Sequence, residues 1–264
     1  MPWRAPLRYH LRMPHDIATA EPIDTRRDRL APAIPRRYHP VLYFGASNLV
    51  AAIAIIGALI RLDNVQLWEW LIVPAAFLVA NWVEYCVHKG PMHHLRPPWQ
   101  ILFERHVRQH HVYFDDTHMS ARMDREYYWV FFPWWAVGLV VTTAALFAIP
   151  LGLLVSRNMG LLFFAVAIAY YLTYEWLHLS YHLHPESVIG RMGMVKRLRR
   201  LHTLHHRTSL MTQHNFNITF PICDWVFGTL RLEGHRPAGL ELAKDARPND
   251  VPQGIQRRDG NESE

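Results

Sequence analysis

Apolar positions in this chain are pooled into blocks separated by strongly polar stretches, a pattern that predicts membrane helices rather than a soluble core of short amphipathic periods. Val41 to Ile60 contains no charged residue, and as a helix at about 1.5 Å per residue it is about 30 Å long, the thickness of a bilayer core. Val65 to Val87 forms a second span, interrupted only by Glu69 near one end and Glu84 near the other. Pro74 inside it is tolerable where a neighbouring helix covers the freed carbonyl. The connection Arg61-Leu62-Asp63-Asn64 is short, so the two spans form an antiparallel hairpin. Tyr127 to Val155 and Leu161 to Ser180 form a second hairpin, turned by Ser156-Arg157-Asn158. Tyr127, Tyr128, Trp129, Trp134 and Trp135 make an interfacial aromatic belt at its start, and Pro133 and Pro150 trim or kink the third span. The expected fold is all-α and integral to the membrane: four transmembrane helices, about 41–60, 65–87, 127–155 and 161–180, in two hairpins.

The polar remainder divides into an N-terminal tail, 1–40, a helical cap made of 88–126 and 181–231, and a polar C-terminal tail, 232–264, expected to be poorly ordered. The first tail carries eight arginines and four acids with no apolar run and reads as mostly irregular. It has the character of neither a signal peptide nor a transit peptide. Mean hydropathy of −0.05 is the average of a membrane domain, 41–231, and these polar parts. The net charge is +6, yet no nucleic-acid motif accompanies it. Instead the basic residues flank the spans: the two hairpin turns hold only Arg61 and Arg157, whereas the tails and the cap hold the other 26 of 28. That asymmetry places both halves of the cap in the cytoplasm. Arg191 to Leu201, with Met192, Val195, Leu198 and Leu201 among five basic residues, predicts a helix lying on the membrane surface.

Of 18 histidines, 14 fall in two windows, 88–118 and 178–214, each entered directly from an apolar block. His178 and His182 are four apart, and His202, His205 and His206 stand at i, i+3 and i+4, so each set projects from one helix face. His88, His93, His106, His110 and His111 supply the other half. Cys86 and Cys223 form no metal-binding spacing, which leaves imidazole to do any metal binding. Ten imidazoles exceed the roughly four to six ligands of a single ion and match two metals with about five each. Glu84 and Glu175 precede His88 and His178 by one turn, where a carboxylate can accept the free ring N–H. His184, His214, Asn217 and Asp224 are further candidates near the cluster, as His94 and His118 are by position. His10, His15, His39 and His235 read as ordinary surface residues.

The ordered boxes HX4H (His88, His93), HX3HH (His106, His110, His111), HX3H (His178, His182) and HX2HH (His202, His205, His206), each set following a hairpin, resemble the fatty acid hydroxylase and sterol desaturase superfamily. Asn215-Phe216-Asn217 and Asp224-Trp225-Val226-Phe227-Gly228-Thr229 are similar to its closing segments, and the resemblance covers about 80–230. One spacing departs from the family's frequent HX2HH. On an ideal helix His111 swings about 140° away from His106, so either the helix is bulged or one of the three is not a ligand. His88 and His93 are offset too, with Gly90-Pro91 expected to break the helix between them.

The resemblance implies a di-iron centre of two Fe ions that uses O2 as co-substrate and two external electrons to hydroxylate or desaturate a C–H bond of a lipid, such as a fatty acyl chain or sterol. No iron-sulfur or dinucleotide motif is visible, so the electrons are expected from a separate redox protein. The competing class is a divalent-metal transporter or other metal-binding membrane protein with a cytoplasmic histidine site, which calls for ionisable residues at mid-span. Compact size and the lack of a retention signal favour a bacterial inner membrane over the endoplasmic reticulum.

Overall fold

The computed structural model describes residues 21–233, and among these every regular element is helical. The expected disorder of the C-terminal tail, and His10, His15 and His235, lie outside the described residues. In chain order the α-helices of five or more residues are α1 (Ile23–Leu30), α2 (Pro40–Leu59), α3 (Ile72–Val87), α4 (Gln100–Arg105), α5 (Ala136–Leu154), α6 (Arg157–His182), α7 (Gly193–His205) and α8 (Ile222–Val226). Four stretches are long and apolar enough to cross a membrane: Pro40–Leu59, Leu67–Met92, Ala136–Leu154 and Arg157–His182. The second comprises the tight turn Leu67–Leu71, α3 and a π-turn at His88–Met92.

Span boundaries depart from the sequence expectation for local reasons. The third does not begin at Tyr127: Asp124–Trp129 is a separate 3₁₀ turn, and the helix starts only after Pro133, whose carbonyl accepts the Ala136 N–H. Proline disfavours helical backbone at the residue before it, here Phe132, which keeps the turn from running on into the helix. Pro150 lies inside α5 without ending it. The fourth span begins at Arg157, where extended Ser156 precedes the first turn. At 26 residues it is about 39 Å long at about 1.5 Å per residue, longer than a bilayer core of about 30 Å. The surplus turns carry His178 and His182 out of the apolar layer.

α6 is the central post. It packs against α2, α3, α5 and α7, and 44% of its span is buried against 11–22% of the others. The hairpin with α5 closes tightly at Gly160, where a Cβ would stand 2.5 Å from the Ala148 carbonyl oxygen and 2.8 Å from the Gly152 Cα. Large side chains such as Leu146, Phe147, Leu153 and Leu154 point outward, as lipid-facing residues must. At the far end from the histidines the two hairpin turns are tied together. Glu69 accepts hydrogen bonds from Ser156 Oγ and Asn158 Nδ2, and Asn158 Nδ2 also reaches the Asp63 carbonyl at 2.7 Å.

The N-terminal segment is the main departure. Residues 21–39 are not an irregular tail: α1 docks on the cap with Arg26 and Arg27 buried. Arg125 secures the rest of the arm through the Pro35 and Tyr38 carbonyls, both at 2.9 Å. Ile34 and Tyr38 join Tyr113, Phe114, Trp129 and Val130 in one apolar cluster.

Candidate metal centre

The end of the second span, the segment following α4, the end of α6 and the end of α7 converge, and the ten box histidines meet there with none more than 6% exposed. They sort into two groups. His88, His93, His106, His111 and His205 form the first; His110, His182, His202 and His206 form the second, with one donor nitrogen per ring and all donors of a group within 4.8 Å of one another. His178 joins the second through its Nε2, 3.2 Å from that of His110. Each HX3HH or HX2HH box feeds both groups, so neither metal position belongs to a single helix.

Local backbone form explains the spacings that the sequence left open. His106–His110 is a π-turn, in which the His111 N–H bonds back to the His106 carbonyl, so the bulged alternative holds. The wider turn aims His106 and His111 at the first group and His110 at the second. At the first box Gly90-Pro91 does not break the helix. His88–Met92 is again a π-turn, whose width accommodates a proline that lacks the N–H for a regular bond.

What fixes the rings is main-chain carbonyls. The Nδ1–H groups of His110, His182, His205 and His206 donate to the carbonyls of Trp129 (2.9 Å), Met119 (2.7 Å), His214 (2.9 Å) and Phe114 (2.8 Å). His88 pairs likewise with Phe216, and His178 with Val130. A carbonyl only accepts, so each of these Nδ1 atoms carries the proton and each Nε2 presents a bare lone pair. Yet Nε2 of His110 lies 3.1 Å from that of His206 and 3.2 Å from that of His178. No proton is available to sit between those atoms, and their lone pairs repel unless a cation stands among them.

The spacing also suits a shared cation. With a metal to imidazole distance of about 2.1 Å, two nitrogens at right angles on one ion are about 3.0 Å apart and two at the tetrahedral angle about 3.4 Å. The close Nε2 contacts within the groups, from 2.8 Å (His88 to His106) to 3.2 Å (His182 to His202), lie in the range of nitrogens that share one ion. The rings are ready to bind. Burial, followed by crowding from other imidazoles, holds His93, His106, His110, His111, His202 and His205 well below the usual histidine value, and burial pushes His206 down to about 4. All of these are therefore neutral at physiological pH. The Nδ1 atoms of His93, His111 and His202 are buried without a partner, so the protein leaves those three tautomers unset.

The carboxylates expected to accept ring N–H groups do something else. Glu84 bonds no imidazole: it accepts from the Ile218 N–H, the Thr219 N–H (3.0 Å) and Thr219 Oγ1 (2.7 Å), so it holds the strap that offers Phe216 to His88. Glu175 accepts from the Phe132 N–H instead of His178. Asp224 completes the strap by taking the Phe216 N–H at 2.9 Å and the Asn217 N–H at 2.7 Å. Asn217 ties it to the Asn81 carbonyl at 3.0 Å. Asn215 turns the chain with φ of 58°, a left-handed conformation that asparagine tolerates, between the two carbonyls in use. His214 contributes its carbonyl, while its ring faces the Thr229 carbonyl at 3.2 Å. His184, His94, His118 and His39 are exposed and stand outside both groups.

Sequence reasoning missed the accepting carbonyls of Phe114, Met119, Trp129 and Val130, because any residue offers one. The Asn215-Phe216-Asn217 motif was the visible signal for the strap; the 112–120 loop carries none.

A family model described as "Fatty acid hydroxylase" matches residues 73–229, more than half of the chain. The matched stretch holds all ten box histidines and the strap, and leaves out α1 and α2. No match was found among curated proteins or solved structures.

Proposed function

The chain belongs to the fatty acid hydroxylase family, and from that premise we propose that it is a membrane-bound di-iron oxygenase that hydroxylates or desaturates a C–H bond of a lipid, with O2 as co-substrate and electrons from a separate redox protein. The observation that carries this reading is the set of fixed lone pairs at His110, His178 and His206, which only a cation reconciles. His88, His93, His106, His111 and His205 would hold one ion; His110, His178, His182, His202 and His206 would hold the other. When bound, such a pair supplies what no side chain here offers, the two-electron activation of O2 against an unactivated C–H bond.

The protein's own part is orientation and exclusion. Carbonyls lock the rings, burial keeps them neutral, and the apolar surroundings keep water from the reacting carbon. Outward-facing apolar residues on the four spans support delivery of the substrate tail from the bilayer rather than from water. The clustering of Arg and Lys away from the hairpin turns supports a cytoplasmic site. A metal transporter would need ionisable groups midway across its spans. α2 has none, and Glu84 is consumed by the strap.

Lipid extracts from cells carrying the protein or its His206→Ala variant test the reading, together with metal analysis after anaerobic purification. Expected are an O2-dependent lipid with one added oxygen or one added double bond and two irons per chain, with the lipid and one of the two irons lost in the variant. Two bound metals without any such lipid would sink it. Zinc alone would not decide the metal, because zinc can displace iron from such ligands.

A further inference from the structure

We propose that the N-terminal helix α1, which lies outside the family-matched residues, is a positioning element for the second imidazole group, acting through Arg27. This rests on the two-metal reading above. The Arg27 guanidinium is 3% exposed and spends its fork on three main-chain carbonyls: Nε on Tyr113 at 2.9 Å, and Nη2 on His118 at 2.6 Å and Ser120 at 3.3 Å. Its planar face lies 5.2 Å from the Tyr113 ring centre and 5.4 Å from that of Phe114. Tyr113 and His118 immediately precede Phe114 and Met119, whose carbonyls take the Nδ1–H of His206 and His182. One side chain thus pins the peptides on either side of two ring-orienting acceptors.

Nothing else regular shapes that loop. Residues 114–123 carry no helix; Arg27, Arg26 on Asp115 at 2.6 Å and Arg207 on Asp116 at 2.9 Å hold the first part of the segment, while Arg199 on Ser120 Oγ at 2.9 Å, the Ala121 N–H on the His182 carbonyl at 3.0 Å and Arg122 on Glu126 at 2.9 Å hold its end. A single planar, permanently charged fork suits three carbonyls converging on one point, a task that lysine, with one compact ammonium, performs poorly. The first group has no such dependence. Its acceptors, His214 and Phe216, belong to the strap anchored by Asp224, Asn217 and Glu84.

The test uses the full-length chain in detergent, stripped of metal and titrated with cobalt(II), whose visible spectrum reports binding without turnover. Wild-type protein is expected to take two equivalents. Arg27→Ala should weaken one equivalent by about 10- to 100-fold, the usual effect of losing a group that orients a metal-binding histidine, and leave the other unchanged. Arg27→Lys, a milder change should the alanine variant misfold, should weaken the same equivalent less. Hydrogen exchange on the metal-free proteins adds a readout that needs no metal: amides 112–120 should exchange faster in the variants, with the 214–219 strap unaffected. Wild-type affinity for both equivalents, equal weakening of both, or unchanged exchange in the loop would overturn the proposal. Two cobalt equivalents with the expected Arg27 effect, but no oxygenated lipid from the iron-loaded enzyme, would sink the oxygenase reading and leave this one standing.

Discussion

His205 and His206 are neighbours on one helix, yet His205 donates to the His214 carbonyl in the C-terminal strap while His206 donates to Phe114 in the loop under α1. That split runs through the whole centre. The first imidazole group is steadied by a strap whose amides close onto Asp224 only seven or eight residues away, with Glu84 and Asn81 bracing it from α3. The second is steadied by a loop on which Arg27 makes contacts 86 to 93 residues distant in sequence, from a segment the family match does not include. One chain has built two imidazole groups from the same four boxes but supports them separately. Damage to one support should therefore reach one metal before the other.

The largest expected effects come from the rings themselves. On the proposed di-iron reading, which needs both ions, His205→Ala and His206→Ala should each abolish lipid oxidation. Each should lose a different metal, and titration against cobalt should give one remaining equivalent with a distinct spectrum in each variant. Loss of both metals in both variants would mean a single coupled site instead of two.

Asp224→Ala comes next. It strands two buried amides, those of Phe216 and Asn217, each costing about 1–3 kcal/mol, so thermal unfolding should move to lower temperature. The first equivalent should weaken by about 10- to 100-fold while the second holds, the mirror image of Arg27→Ala. With no shared partner between the two supports, the double variant should show nearly additive losses.

Acid should act on both groups alike. The buried imidazoles outside the spans have folded-state values depressed below 6.5, with His206 at about 4. Their contribution to stability is complete above the unfolded value near 6.5 and is lost as pH falls from there towards 4. Each ring that stays neutral in the fold adds about 1.4 kcal/mol per pH unit to that loss. Chelated protein should thus unfold at markedly lower temperature at pH 5 than at pH 7.5, and bound metal should blunt the difference.

The smallest effect on the centre belongs to Gly160→Ala at the opposite end of the molecule. A Cβ there meets the Ala148 carbonyl at 2.5 Å, so overpacking should cost about 1–3 kcal/mol of stability, with both metal affinities unchanged. A shift in either affinity would show that the hairpins transmit strain to the cap.

Much of this was legible in the residues. Charge-free runs such as Val41 to Ile60 mark spans by length alone, and histidines at i, i+3 and i+4 mark a common helix face. The HX3HH spacing left either a bulge or a non-ligand among His106, His110 and His111, and the π-turn supplies the bulge. Three features stayed hidden. Carboxylates one turn before His88 and His178 looked like ring acceptors, but main-chain carbonyls took that role, and these carry no side-chain signature. Arg26 and Arg27 looked like solvated charge in a polar tail. Burying them requires carbonyls and an acid brought from far along the chain, which no local pattern encodes. Tyr127 to Trp129 looked continuous with the third span because hydropathy does not register the backbone restriction that Pro133 imposes.

Anomalous diffraction at the iron edge, from crystals of anaerobically loaded protein, tests the central claim most directly. The account predicts two separate iron peaks, one within about 2.0–2.3 Å of Nε2 atoms from His88, His93, His106, His111 and His205, the other equally close to those of His110, His178, His182, His202 and His206. A single peak shared by both groups, or iron bound elsewhere on the cap, would contradict it.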